Sequence, residues 1–514
     1  GDLWAAFFTV YMADPADLGW HLYTEGWGSS AFVKYSDWMP VQMYAPWLGF
    51  MPGWQEPTYW NYENETIDDI TKKLAFGEYK SKEERDELLI ESVLMGVEES
   101  VRIWVGQAKE YYVVRNEVEG IIVDFGAGIA SRLNFWNAKF NGENTLVVGV
   151  KYLSQGAWNP MGGYEDYYSV TIYRTISDPG TWRHPHLGEV IPWRITDYTI
   201  TSDPDGNIPV PSDALTWDSL NNQWIEVGSG KNAKAKVVIT YDMRGGWHDG
   251  NEITINDIRY VFYMMWEWVN SDEEGDKYYD PVYSAWNKDY ADTILGVKFI
   301  GDDTIEVYID YWHFDEKEIL AYASFWSSTP WYLYAAMEKY VVDGNAAFTR
   351  VYAQRLGVEW LNLVAREQAM DIADILDGLA DEGYVPPALE GYITPEEAAE
   401  AYRNAALFIR SYGHAVISNG PYKMTEYVPN EYVKLEAYRN YPYGSEKWSE
   451  FTVMRCAEVR GIEAPIYFTA GTEFTATATI LVGGEPSSEA DVYFKIIGPE
   501  GVVYKGAATP GATA

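Results

Sequence analysis

The chain has 514 residues, 47% hydrophobic and 22% charged, the composition of an ordinary folded protein that is too long for one core. Against 38 Lys and Arg stand 77 Asp and Glu, a formal net charge of -39, which excludes nucleic acid and anionic lipid as partners and favours cations or neutral ligands. A single cysteine, Cys456, excludes an internal disulfide, and its apolar surroundings predict a small buried group.

Residues 1–60 are rich in Trp, Tyr, Pro and Gly and show few clear periods. "SKEERDELLIESVLMGVEESVRIWV" follows, with Ser81 and Glu84 forming a cap-and-acid start. Leu88, Leu89, Val93, Leu94 and Val97 recur at helical spacing, so an amphipathic helix with that stripe buried is expected. "NTLVVGVKYL", from Asn144, reads as a strand after the turn "FNGE". "SDPDGNIPVPSD" reads as a loop; Asp203, Asp205 and Asn207 do not complete a calcium-binding EF-hand spacing, so a turn is expected there.

"KAKVVITYDMR" and "TILGVKFIGDDTIEVYIDYW" read as strands, the second a hairpin. In "GGWHDGNEITINDIRYVF" every polar residue has a local structural task. Asp249-Gly250-Asn251 signals a tight turn, and Thr254 with Asp257 forms an acidic capping box. Ile255, Ile258, Phe262, Met265 and Val269 then mark one buried helix face. His248 has no second His or Cys at ligand spacing, and His184 and His186 gain no third partner, so no metal and no cofactor is expected. Helices are predicted from about 348 to 411, the last opened by Thr394, Pro395 and Glu397. "EYVKLEAYRNY" is a strand. Beyond Gly461 the alternation in "EFTATATILVGG" and "ADVYFKIIGPEGVVYKG" predicts a β-sandwich.

Several of these stretches together resemble one family. "GGWHDGNEITINDIRYVF" is similar to the Trp-x-Asp-Gly, Thr-x-x-Asp signature of the family 5 extracellular solute-binding proteins, the oligopeptide, dipeptide and nickel receptors of ABC importers. Its carriers are Trp247, Asp249, Gly250, Thr254 and Asp257. "NGPYKMTEYVPNEYVKLEAYRNYPY", with Gly420, Pro421 and Tyr422, resembles that family's Gly-Pro-Tyr segment. "NTLVVGVKYLSQGAWNP", "DDTIEVYIDYW" and "WSSTPWYLYAAMEKY" stand in the family's order, so the resemblance runs from about 145 to 445. "DLGWHLYTEGWG", "YWNYENETIDDI" and the helix from Ser81 resemble the end of the large ligand lobe, which in the family follows the Gly-Pro-Tyr segment. The chain is therefore expected to be circularly permuted or cut from a longer one, and its Gly1 start and "KGAATPGATA" end are read as those of a processed or incomplete chain. The acid-rich and aromatic-rich composition resembles archaeal or thermophilic members.

The resemblance implies an α/β, two-lobe fold of the type II periplasmic-binding-protein kind, with a small extra domain and a C-terminal Ig-like β-sandwich. The expected divisions are 1–143 as part of the ligand lobe, 144–235 as the start of the first lobe, 236–418 as the small domain with a helical extension, 419–460 as the first lobe's return, and 461–514 as an incomplete sandwich. It implies an extracellular, cell-surface-attached receptor that performs no reaction, takes a small-molecule peptide or oligosaccharide, and hands it to an ABC permease. Trp27 matches the family's ligand-lobe Trp. Ser30 stands where peptide receptors carry an Asp for the ligand's ammonium, and a neutral hydroxyl cannot replace that charge-assisted bond. With 23 Trp and 42 Tyr, stacking on sugars is an open alternative, and Trp158, Tyr164 and Tyr167 are candidates for the facing wall. Each of these rings competes with a plainer role in the core, Trp27 least. Two other classes stay open. One is a glycoside hydrolase using paired carboxylates, for which no motif selects a pair. The other is a surface-layer or filament subunit that self-assembles on the receptor scaffold.

Overall fold

The computed structural model describes residues 10, 13–48, 59, 62–151, 153, 156–164, 166–271, 275–454, 456–467, 469, 471–488, 490–499 and 501–511. Much of the Trp-rich stretch 1–60 lies outside them. The fold is mixed α/β, and no helix among the described residues is long and apolar enough to cross a membrane.

The N-terminal part is helical. Asn64 caps α1 (Glu65–Ala75) by accepting from Ile67 N, and Ser81 caps α2 (Lys82–Glu99) by accepting from Glu84 N, as the sequence predicts. The inward face of α2 departs from expectation. Leu94 and Val97 are exposed, whereas Arg85, Ser92 and Gly96 are buried. Two contacts set this rotation. Arg85 Nε donates to the buried Asp37 carboxylate at 2.8 Å, and a Cβ at Gly96 would stand 2.3 Å from the Tyr44 ring. The charge pair and the ring fix the helix azimuth, and part of its apolar stripe turns outward.

Further along lie α3 (Arg132–Asn137) and α4 (Tyr167–Ile176). Between them, residues 144–150 form no strand and pair with no described strand, and Leu146, Val147, Val148 and Val150 are exposed. The expected strand is thus absent. β-propensity favours an extended backbone, but a strand also needs a neighbour for its N–H and C=O groups.

A six-stranded antiparallel sheet follows, built from β1 (Ile195–Ser202), β2 (Leu215–Asp218), β3 (Gln223–Glu226), β4 (Ala235–Tyr241), β5 (Ile294–Ile300) and β6 (Thr304–Ile309), in the order β3-β2-β5-β6-β4-β1. β4 buries Ala235, Val237, Ile239 and Tyr241, the alternate residues that a period of two selects. Its Val237 sits opposite Ile200 on one side and Val307 on the other. The sheet takes strands from both sides of position 235, so the expected division between 144–235 and 236–418 runs through it. Several helices share its core, among them α5 (Ile255–Glu267), α6 (Trp331–Val342), α7 (Arg366–Glu382) and α8 (Pro395–Tyr412). The five residues predicted for one buried helix face are all buried, Val269 just past the end of α5.

α8 carries the full capping box, with Thr394 Oγ1 accepting from Glu397 N at 3.2 Å and Thr394 N donating to Glu397 Oε2 at 2.8 Å. Thr394→Ala is expected to cost about 1 kcal/mol in urea unfolding. A cost near zero would mean that Pro395 and the tertiary contacts alone hold the helix start.

The hairpin of β7 (Tyr422–Val428) and β8 (Tyr432–Ala437) returns to the core through Met424. Beyond it, β9 (Ala457–Glu463), β10 (Thr477–Val482) and β11 (Glu485–Pro486) form one small sheet, and β12 (Tyr493–Gly498) pairs with β13 (Gly501–Ala507) in another. The strands anticipated from the alternation are present, but no described residue after Phe451 is buried, so the enclosed core of an Ig-like sandwich is not. Cys456 is exposed, contrary to expectation, because no second layer covers it.

Candidate functional site

The opening motif forms a corner clasped by the Gly-Pro-Tyr segment. Gly250, at φ +98, makes the turn that Asp249 and Asn251 flank. Asp249 accepts from Tyr332 Oη at 2.7 Å and from Asn251 N at 3.1 Å, and burial pushes its carboxyl up to about 6. Asp257 accepts from Thr254 N at 2.8 Å and Trp331 N at 3.1 Å, with the fully buried Trp247 Nε1 at 3.4 Å; burial pushes it to about 7. His248 Nε2 meets Gly420 O at 3.1 Å, and His248 N donates to Ser418 O at 2.9 Å. Burial lowers the His248 imidazole to about 3, so it is neutral. Tyr438 Oη donates to Trp247 O at 2.7 Å, and Tyr438 N to Pro421 O at 2.8 Å. Only glycine fits at 420, since a Cβ would lie 2.5 Å from Ile176 O. Tyr422 is half-buried beside this clasp at the start of β7. His184 Nδ1 accepts from His186 N and Leu187 N, a local turn. Asp203 likewise accepts from Asp205 N and Asn207 Nδ2, the turn expected there.

The aromatic candidates separate into two groups. Trp158 is fully buried, its N donating to Asn362 Oδ1 and its O accepting from Leu363 N. In this structure it is a core residue, its indole packed inside the main hydrophobic core. Tyr164 is half-buried, packs edge-on against Trp158 and stacks on Tyr173 at 4.5 Å. Tyr167 is exposed at the first turn of α4, where Asp166 caps the helix by accepting from Ser169 N at 2.9 Å.

The segment carrying Trp27 and Ser30 reaches this helix. Asp124 accepts from Phe32 N, Gly126 N and Ala127 N, and Lys34 N donates to Gly188 O at 3.0 Å. At Gly126 a Cβ would meet Ala31 O at 2.4 Å, so the two backbones touch. These ties bring Gly28 beside Tyr167, where an added Cβ would stand 3.8 Å from the phenol ring. Trp27 is exposed, with the Arg102 guanidinium 5.3 Å from its ring centroid and Arg102 paired to Glu25. Ser30 is half-buried, and Ser29 Oγ donates to Ala31 O. Trp27 and Tyr167 thus belong to the same junction, and Ser30 borders it.

Sequence reasoning missed the cations behind Tyr167. Arg132, nearly buried at the start of α3, lays its guanidinium 4.1 Å from the Trp182 ring centroid, and Arg174 of α4 stands 5.7 Å from the same ring. Burial, and then the charge of Arg174, lowers Arg132 to about 9; burial also lowers Arg174. No motif joins "SRLNFW", "IYRT" and "TWRH", so only the fold brings them together.

A second depression, open and about 710 Å³, lies at the ends of β1, β4 and β6. Its lining includes Tyr241, Asp242, Arg244, Glu252 and Asp303. Asp242 is held below the usual carboxylate range, although burial opposes this, by Arg244 and Tyr443. Its main charges already satisfy each other.

No family model matches the chain, and no curated protein matches it. Among solved structures it is similar to an oligopeptide-binding protein from Thermus thermophilus in complex with a pentapeptide, at 15% identity over 54% of this chain and 34% of that one, with a TM-score of 0.27. The chain thus spans about a third of the length of that structure.

Proposed function

We propose that the protein is an extracytoplasmic solute receptor of an ABC importer, attached at the cell surface, which holds an oligopeptide or oligosaccharide between two lobes without transforming it. The observation that carries this reading is the seating of Gly28 against Tyr167. Two segments far apart in sequence meet there and leave the Trp27 and Tyr167 rings exposed at one junction. Such rings supply contact area with polar tips, which suits a solute that is bound and released. The clasp between the Trp247 corner and Gly420 supports the same reading, because it joins the two motifs that carry the family resemblance.

Thermal unfolding against short peptides and neutral oligosaccharides tests it. At 100-fold saturation a ligand should add about 2.7 kcal/mol. Stabilisation by sugars alone supports Ser30 as the reason a free ammonium is not held; stabilisation by peptides removes that argument. No response from either panel counts against the receptor.

One observation favours the surface-layer or filament reading instead. Ile90, Leu94 and Val97 on α2, Val147 and Val148, and Tyr493, Ile497 and Val503 in the last strands are all exposed apolar groups on chain segments suited to pairing. Sedimentation at physiological salt distinguishes the two readings: ordered polymers favour the subunit, and monomers that respond to a solute favour the receptor.

A further inference from the structure

In a chain with 77 carboxylates and 38 Lys and Arg, a cation without an acidic partner is conspicuous. Arg132 and Arg174 are two, side by side. Arg132 Nη1 donates to Ser177 O at 3.2 Å, but its buried Nε has no acceptor. Asp178, the carboxylate whose charge acts on Arg132, is occupied by Arg194 and by Tyr441 Oη. The Arg174 side chain makes no hydrogen bond or ion pair with any described residue; it has the ring contact with Trp182 and an electrostatic interaction with Tyr167. Trp182 Nε1 is itself buried without an acceptor. Donors lacking acceptors therefore surround one indole, and two of them belong to guanidiniums. That arrangement is the electrostatic and planar complement of a carboxylate. Arg174 also lies about two turns along α4 from Tyr167, on the same face of the helix, and the two side chains interact electrostatically.

We infer that Arg174, backed by Arg132 and Trp182, is a carboxylate-binding subsite that takes the acidic end of the solute while its uncharged body lies over Tyr167. This rests on the solute-receptor reading. The carboxylate belongs either to a peptide C-terminus or to a uronate unit of an oligosaccharide.

Calorimetric titration of the wild type, Arg174→Gln and Arg174→Lys tests it, with tetraalanine, tetraalanine amide, trigalacturonate and maltotriose as probes. The expected result is a preference of about tenfold for one acidic probe over its neutral counterpart, lost in Arg174→Gln and partly kept in Arg174→Lys. Whether tetraalanine or trigalacturonate shows it identifies the source. Equal binding of acidic and neutral probes, or a preference that survives Arg174→Gln, overturns the subsite and leaves the receptor standing. If no probe binds, the receptor reading fails, and the subsite is then judged by dicarbonyl labelling of Arg174 followed by mass spectrometry. Slower labelling in succinate supports a carboxylate site; an unchanged rate overturns it.

Discussion

Replacing Arg194 with methionine is expected to lower the free energy of unfolding by about 3–5 kcal/mol. Arg194 is completely buried. It pairs with Asp178 and donates through Nη1 to Asp242 O at 2.9 Å and Arg244 O at 2.7 Å. Burial raises the Asp178 carboxyl even with this guanidinium beside it. Without the guanidinium, Asp178 keeps Tyr441 Oη as a side-chain donor, while two backbone carbonyls lose theirs. The damage should reach the candidate site, since Asp178 lies just beyond α4 and its N donates to Asn419 Oδ1, next to the Gly420 clasp. Urea unfolding followed by tryptophan fluorescence measures the loss. Adding Asp178→Leu should recover most of it, because the cost is mainly that of an uncompensated buried carboxylate. A single variant within 1 kcal/mol of wild type would mean that Asp178 simply protonates or reaches water.

What the sequence made legible was local. The Thr254 and Thr394 capping boxes, the turn at Gly250 and the buried face of α5 depend on residues a few positions apart, and each formed as read. The β5–β6 hairpin about Asp302 did too. What failed depended on distant partners. Residues 144–150 have the composition of a strand and no strand to pair with. Leu94 faces out because Asp37 and Tyr44, from another helix-turn, decide how α2 rolls. Trp27 and Trp158 are the same side chain, yet one is exposed and the other fully buried, and no spacing distinguishes them. Arg132, Arg174 and Trp182 stayed invisible for the same reason. Each is unremarkable alone, and the meaning lies in two cations gathered at one indole, with the buried Arg132 Nε and Trp182 Nε1 finding no acceptor among the described residues, which only the fold discloses.

Stability should fall between about pH 6.5 and 8.5, against the habit of acid-sensitive globular proteins. Burial raises several carboxylic acids, Asp124, Asp178 and Asp280 among them, and carries four to about 6 or above: Asp249 about 6, Asp257 about 7, Glu338 about 7 and Glu267 about 8. A group raised in this way stabilises fully below its unfolded value, near 4, and loses that contribution as pH rises through the folded value. Glu338 shows why the charge is costly. It already accepts from Tyr263 Oη at 2.9 Å, Trp268 Nε1 at 2.8 Å and Tyr260 Oη, and burial still prevails. The histidines oppose the trend only at lower pH. Burial lowers His248 to about 3 and His414 to about 4, so their contribution grows as pH rises to the ordinary imidazole value near 6.5 and is constant above it. Below pH 6.5 the two sets offset each other; above it the carboxylates act alone, and Asp257, Glu338 and Glu267 should together remove on the order of 3 kcal/mol by pH 8.5. Urea midpoints at pH 6.5, 7.5 and 8.5 measure the decline, and Glu267→Gln should flatten its upper part, since Glu267 titrates last. A profile that is flat or rising across this interval would show that these carboxyls are ionised in the folded protein and find solvation within it. The direction also bears on the surface: with 77 acidic groups against 38 basic ones, rising pH adds charge to an already anionic molecule, so self-repulsion and the buried acids act in the same sense.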